Sequence, residues 1–394
     1  MRRATSVVPF VACVLMLAIA PLAAETVGWR MGGDGRYLEA EAPTSWSPTE
    51  NVVWKTKMPS WSNASPVLLE DKGLLIVLSE PDQVVAVKSD SGEIAWTAST
   101  SDIVSERPGA HDANGWTTGT PVSDGRHVFT LFGTGVAAAH TLDGEQVWAR
   151  VVEKPQHRWG NSASPALGGG NLLVHVVDLF ALDPATGEEV WRAPSEPRWG
   201  SPVVTQIGGT DVVITTAGDV FRADDGAVVA NGIGGLKFAV PVVQDGIVYF
   251  IEKEATAVRL PETLDGEFQE LWRSRVQGSR HYVSSLVHDG LIYAISREQD
   301  FSILDAETGK VLDSRRFELY DGGSNGAYSS ITLAGDKLFL GTENGASVVF
   351  KPGPEYQEIA RNQVEGYRST PVFQGDRMYL RAFDYLYCFG SSAD

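Results

Sequence analysis

Cysteine is nearly missing from this chain of 394 residues, which carries only Cys13 and Cys388. Cys13 lies in an N-terminal stretch where Arg2 and Arg3 precede an apolar run from Val7 to Ala20, with small residues at Ala23 and Ala24. That layout predicts a secretory signal peptide over residues 1–24, and the run is too short to span a bilayer. The residues after Arg2 and Arg3 give little support to a twin-arginine signal. Only about half of the apolar run precedes Cys13, which favours cleavage near Ala24 over lipid attachment at Cys13. The exported chain then keeps Cys388 alone, so an internal disulfide is excluded even in an oxidising compartment.

Positive charge is the second shortage. Removing residues 1–24 takes away Arg2 and Arg3 and no acid, leaving 30 basic against 50 acidic residues, a net charge of −20. A nucleic-acid partner is excluded on that ground, because a phosphate backbone needs a cationic surface. Long apolar runs and helical periodicity are also absent after the signal, so no transmembrane segment is expected in the mature chain. Metal and haem motifs are lacking as well. There is no H-E-x-x-H or C-x-x-C-H, and the seven histidines are scattered at 111, 127, 140, 157, 175, 281 and 288. GGSNG (322–326) matches G-x-S-x-G in letters, but a strand follows it where the nucleophile motif requires a helix, so it reads as a loop.

What is abundant is repetition. The tripeptide S/T-P-hydrophobic or a weaker copy begins units at 65, 120, 164, 201, 240, 285, 330 and 370, a mean step of about 44 residues. Each start is followed by a tight-turn pair, such as Asp124-Gly125, Asp245-Gly246 or Asp289-Gly290, and then by an alternating apolar run such as IVYFI (247–251) or RMYLR (377–381). Each unit therefore predicts a four-stranded antiparallel meander. Eight units predict an all-β, eight-bladed β-propeller over 51–390, after a leader over 25–50 and before a tail over 391–394. The last unit has only three strands, whereas NVVWKTK (51–57) is a strand without a unit. Pairing the two completes the eighth blade and closes the ring.

A second pattern, ALDPATGEEVW (181–191), recurs in part at 86–96 and 138–148. Asp183 and Thr186 suit turn-capping, Gly187 a left-handed position, and Trp191 a place over the small Ala181. Burying one indole removes about 200 Å² from water, worth several kcal/mol. Trp54, Trp96, Trp148 and Trp272 occupy or approximate the same position as Trp191. The pattern is thus complete as a structural staple.

These residues resemble the PQQ-type (quinoprotein-type) propeller repeat family, whose motif A-x-D-x-x-x-G-x-x-x-W joins neighbouring blades through the Trp. WRMGGDGRY (29–37) and SWSPTENVVWKTKMP (45–59) are similar to the leader of BamB-like bacterial members. The resemblance implies that the first strand of each blade is innermost, so the loop leading into it borders one mouth of the central channel. Every such loop holds an aromatic: Trp61, Trp116, Trp159, Trp199, Phe238, Tyr282, Tyr328 and Tyr367. Interleaved with them are His111, His157, Arg158, Arg198, Lys237, Arg280, His281 and Arg368, diluted by Glu106, Glu153, Glu196 and Glu365. His111, Trp116, Arg158, Trp159, Arg198, Trp199, Arg280, His281 and Arg368 are the candidate ligand site, for an anionic or aromatic ligand. The same residue types equally suit wedging between blades.

The family's quinoprotein dehydrogenases carry a vicinal Cys-Cys pair and a calcium ion beside the quinone, and this chain has no Cys-Cys. The leading expectation is an exported, non-catalytic propeller of the cell envelope, in the periplasm or outside the cell. It needs no cofactor and presents its mouth to another envelope protein or a small ligand. The alternatives are an oxidoreductase holding PQQ with calcium in the channel, and a binding module for carbohydrate or a small anion.

Overall fold

The computed structural model describes residues 26–100, 102–103, 111, 113–156, 159–319 and 326–390. Eight sheets of four antiparallel strands follow one another along the chain. Blades one to seven occupy residues 67–99, 122–151, 166–193, 203–230, 242–275, 286–316 and 332–363. The eighth combines 372–389 with Val52–Lys57, which pairs antiparallel with Tyr385–Phe389 as its outermost strand. The ring is closed as the unpaired strand required.

The first strands read VLL, ALG or VVQ and are short; the second and third are apolar on both faces, as in LLIVLS at Leu74–Ser79, buried at five of six positions. Strict alternation survives only in the outermost strands, such as Glu189–Ala193, where Trp191 and Ala193 are buried and their neighbours exposed. The reason is that each blade is covered by a neighbour on both sides. Leu172 and Val174 pack toward blade two, while Leu173 between them packs toward blade four. The core is consequently a circle of interblade clusters. The largest joins blades seven, eight and one with Tyr37, Ala40, Ala42 and Trp46 of the leader.

Two registers differ from the sequence expectation by one residue. Blade six begins at Ser284 rather than Ser285, because its first strand starts at Leu286 as the others start two residues after theirs. In blade two the turn is one residue shorter, Gly144 N–H bonding Thr141 O where Gly187 N–H bonds Asp183 O, so Trp148 faces Ala139 and not Ala138. Of the GGSNG loop, 322–325 lie outside the described residues.

Candidate functional site at the channel mouth

The Ser or Thr that starts each repeat has a structural task. Its hydroxyl accepts the backbone N–H of the corresponding residue one blade earlier: Ser65 N–H to Thr120 Oγ1 (3.2 Å), Thr120 N–H to Ser164 Oγ (2.9 Å), Ser164 N–H to Ser201 Oγ (2.8 Å). The series continues from Val240 through Ser284, Ser330 and Thr370, and Thr370 N–H returns to Ser65 Oγ at 2.8 Å. Val240, with no hydroxyl, interrupts the belt. A backbone group so close to the channel axis needs such a partner.

Beneath the belt the leader enters the channel and bonds to blades two, six, seven and eight. Val27 exchanges both backbone bonds with Ser123 of blade two, at 3.0 and 2.8 Å. Arg30, 1 % exposed, donates to Ser285 O (3.0 Å), Ile331 O (2.7 Å) and Asp34 O (3.0 Å). Burial lowers its pKa to about 10, still cationic at neutral pH. Arg36–Tyr37 then adds a parallel strand to the inner edge of blade seven, against Leu333 and Ala334. Further on, the Trp46 indole lies between Phe339 and Phe389, both at 6.0 Å, and the Trp46 backbone N–H donates to Asn362 Oδ1. Blade seven has no docking Trp of its own, and the Trp46 ring packs at its junction with blade eight without the indole bond of the staples. Sequence reasoning assigned the leader no place. An arginine beside a tryptophan and a glycine-rich turn in WRMGGDGRY was the one signal available.

Above the leader opens a cavity of about 680 Å³. Five of the eight expected aromatics line it, namely Trp159, Trp199, Phe238, Tyr282 and Tyr328, together with Trp29 from the leader. Trp159 is 41 % exposed and stacks on His111 with centroids 3.6 Å apart. The other three aromatics are wedges: Trp116 is buried against Gly133 and Gly160, Tyr367 bonds Ser347 Oγ at 2.6 Å, and Trp61 meets Phe383 edge-on.

The charged candidates divide in the same way. Arg280 and Arg368 line the cavity beside Lys237, joined by Arg297, which sequence reasoning missed because it lies in the hairpin between second and third strands. Arg368 stacks over Tyr328 (4.2 Å) and pairs with Glu343, the one carboxylate among the described lining residues. Arg198 instead turns to Glu196 at 2.5 Å, and His281 is 1 % exposed, its pKa lowered by burial to about 4. His157, Arg158 and Glu106 lie outside the described residues. Glu153 accepts from Val177 and Asp178 N–H, and Glu365 accepts from the Tyr387 hydroxyl.

Two further carboxylates hold the mouth loops from below. Glu80 Oε1 accepts Trp116 N–H, Thr117 N–H and Thr117 Oγ1–H at 2.6–2.7 Å; Glu252 Oε1 accepts the N–H groups of Lys237, Phe238 and Ala239 at 2.7–3.0 Å. Burial raises both pKa values against the pull of those donors.

The Trp staples act between blades. Each indole N–H reaches a turn carbonyl of the next blade: Trp54 to Ser89, Trp96 to Leu142, Trp148 to Pro184, Trp191 to Ala223 and Trp272 to Ala306, at 2.7–3.2 Å. Within its own blade Trp191 stands opposite Ala181, and Asp183 Oδ1 accepts the N–H groups of Ala185 and Thr186.

A profile of the family described as outer membrane protein assembly factor BamB matches residues 44–179 and 177–392. The chain belongs to the BamB family. It is 22% identical to the outer membrane protein assembly factor BamB of Yersinia pestis over 85% of this chain and 87% of that protein. In fold it is similar to BamB from Moraxella catarrhalis (TM-score 0.64, 14% identity, 87% of this chain and 98% of that one). It is also similar to the quinohemoprotein alcohol dehydrogenase of Comamonas testosteroni (TM-score 0.66, 14% identity, 93% of this chain and 81% of that one). Both structural likenesses are of fold alone.

Within this BamB-family propeller, the mouth suits a quinone–calcium pair poorly. Calcium takes six to eight oxygen ligands with carboxylates among them. Glu343 is held by Arg368, and no cluster of three or more His, Cys, Asp or Glu side chains occurs among the described residues. Cys388 is free and buried.

Proposed function

We propose that this BamB-family propeller is an exported, non-catalytic scaffold of the cell envelope that assists outer-membrane protein assembly by contacting a protein partner, without PQQ. The observation that carries this reading is the channel itself: the chain's own leader enters it, with Arg30 fixed to carbonyls of blades six and seven. Similarity to a BamB over most of both chains supports the assembly role, and the segment Arg2 to Ala24 supports export. Two measurements test it. Deleting the gene should lower the yield of folded outer-membrane β-barrels, restored by the intact protein. The purified protein mixed with PQQ, calcium and a primary alcohol should leave a redox dye unreduced. Dye reduction that depends on PQQ would establish the dehydrogenase alternative instead, and unchanged β-barrel yields would remove the assembly role.

A further inference from the structure

We propose that the channel mouth binds an acidic saccharide, a ring sugar bearing a carboxylate or a phosphate. This goes beyond the assembly role and does not depend on it. The mouth is divided chemically. Aromatic rings line it on all sides, but the cations Lys237, Arg280, Arg297 and Arg368 lie on the side of blades five to eight, opposite His111, Trp159 and Trp199. Among the described lining residues the cations outnumber the one carboxylate, that of Glu343, in a chain of opposite overall charge, and low-dielectric walls focus such a field on an anion.

An anion alone does not account for the aromatic rings. Trp159 leaves 41 % of its surface open at a concave site, a platform for an apolar ring face. The polar lining asks for hydroxyl groups. Thr118 and Ser162, partly exposed in the cavity wall, donate their hydroxyl hydrogens to Asn114 O and Trp199 O, which leaves the hydroxyl oxygens to accept from a ligand. A sugar ring offers all three features together: an apolar C–H face for Trp159, hydroxyl donors for Thr118 and Ser162, and an acid for the cationic side. The volume of about 680 Å³ lies within the usual range of small-ligand sites, about 300–1,000 Å³.

Arg280 is the cation to change, because its guanidinium makes no bond or ion pair among the described residues and its loss costs the fold little. Calorimetry on the mature full chain would compare trigalacturonate, its neutral methyl ester, glucose 6-phosphate, and PQQ with calcium. The expectation is one trigalacturonate per protein, with the ester weaker by about tenfold or more. Arg280→Gln should weaken trigalacturonate about tenfold and leave the ester unchanged, while Trp159→Ala weakens both about tenfold. Tighter binding of glucose 6-phosphate than trigalacturonate assigns the charge to a phosphate, and the reverse assigns it to a carboxylate. The proposal is overturned by any of four results: equal affinity for acid and ester, wild-type affinity in both variants, no binding of either acidic sugar at millimolar concentration, or displacement of the sugar by more tightly bound PQQ. Failure here, with β-barrel yields that fall on deletion of the gene and recover with the intact protein, would leave the assembly role standing.

Discussion

Trp148 of blade two lies so close over Gly187 of blade three that a β-carbon added at Gly187 would stand 2.6 Å from the indole. The residue is also held at φ +73°, where only glycine is at ease. Gly187→Ala therefore meets two penalties, left-handed strain and displacement of an interblade staple, and is expected to cost about 2–4 kcal/mol. Gly209 provides the control. It has φ +79° with nothing within 4 Å of the added carbon, so Gly209→Ala should cost only the backbone strain, about 1 kcal/mol. Denaturant titrations of the two variants check the difference, and equal costs would mean that the Trp148 contact contributes nothing.

Arg30 couples the leader to the ring. Replacing it with Met removes a buried cation but leaves the carbonyls of Ser285 and Ile331 without their donor, at a cost of about 2–4 kcal/mol. The loss should be local first. Leu333 N–H, bonded to Gly35 O, and Gly335 N–H, bonded to Tyr37 O, should exchange with solvent at least about tenfold faster. Arg36→Met is the contrast, because its ion pair with Asp34 is half open to water and is worth less than about 1 kcal/mol. Hydrogen exchange followed by mass spectrometry reads both.

The eight blades and the closing strand were legible because turn pairs and period-2 runs are local signals, and the missing fourth strand at Phe389 had a visible partner at Val52. The Trp staples were legible for the same reason, except where a turn shortened by one residue moved the partner of Trp148 to Ala139. The mouth was legible only as a set of loops. Neighbours on an extended segment point to opposite sides, so Arg280 faces the cavity while His281 beside it is buried. The leader's place was not legible, because apart from the Arg30 side chain its bonds are backbone pairings of Val27, the Arg36–Tyr37 strand and Glu41 with segments distant in sequence, which no side-chain pattern encodes.

Three buried histidines give the fold an acid limit. Burial lowers the pKa of His140, His175 and His281 from 6.5 to about 4. A pKa depressed in the folded state contributes stability that is present above pH 6.5 and lost as pH falls toward 4. At pH 5 each histidine withdraws about 2 kcal/mol relative to pH 7.5. The raised carboxyls of Glu80 and Glu252 act in the opposite sense, favouring the fold on the acid side of their transition. Denaturant midpoints between pH 7.5 and 5 should fall, and His140→Gln should flatten the slope by about one third whatever it does to stability at pH 7.5. An unchanged slope would mean that His140 is protonated as easily in the folded chain as in the unfolded one.

The hydroxyl belt has a repairable gap. Each link before and after blade five joins a backbone N–H to a Ser or Thr one blade on, and Val240 stands where the hydroxyl for Ser201 N–H belongs. Threonine matches valine in shape, so Val240→Thr adds an acceptor without enlarging the side chain. Val240 lies in the wall of the mouth cavity and is partly exposed, so the added hydroxyl is not forced into a dry core, the usual penalty of this exchange. Closing the belt should stabilise the fold by about 0.5–1 kcal/mol, the ordinary net value of one hydrogen bond. Ser65→Ala makes the opposite change at the junction of blades eight and one, where Thr370 N–H loses its acceptor, and should cost about 1–2 kcal/mol. Both follow from denaturant titration. If Val240→Thr destabilises while Ser65→Ala is neutral, the belt is a by-product of close packing at the axis and not a source of stability.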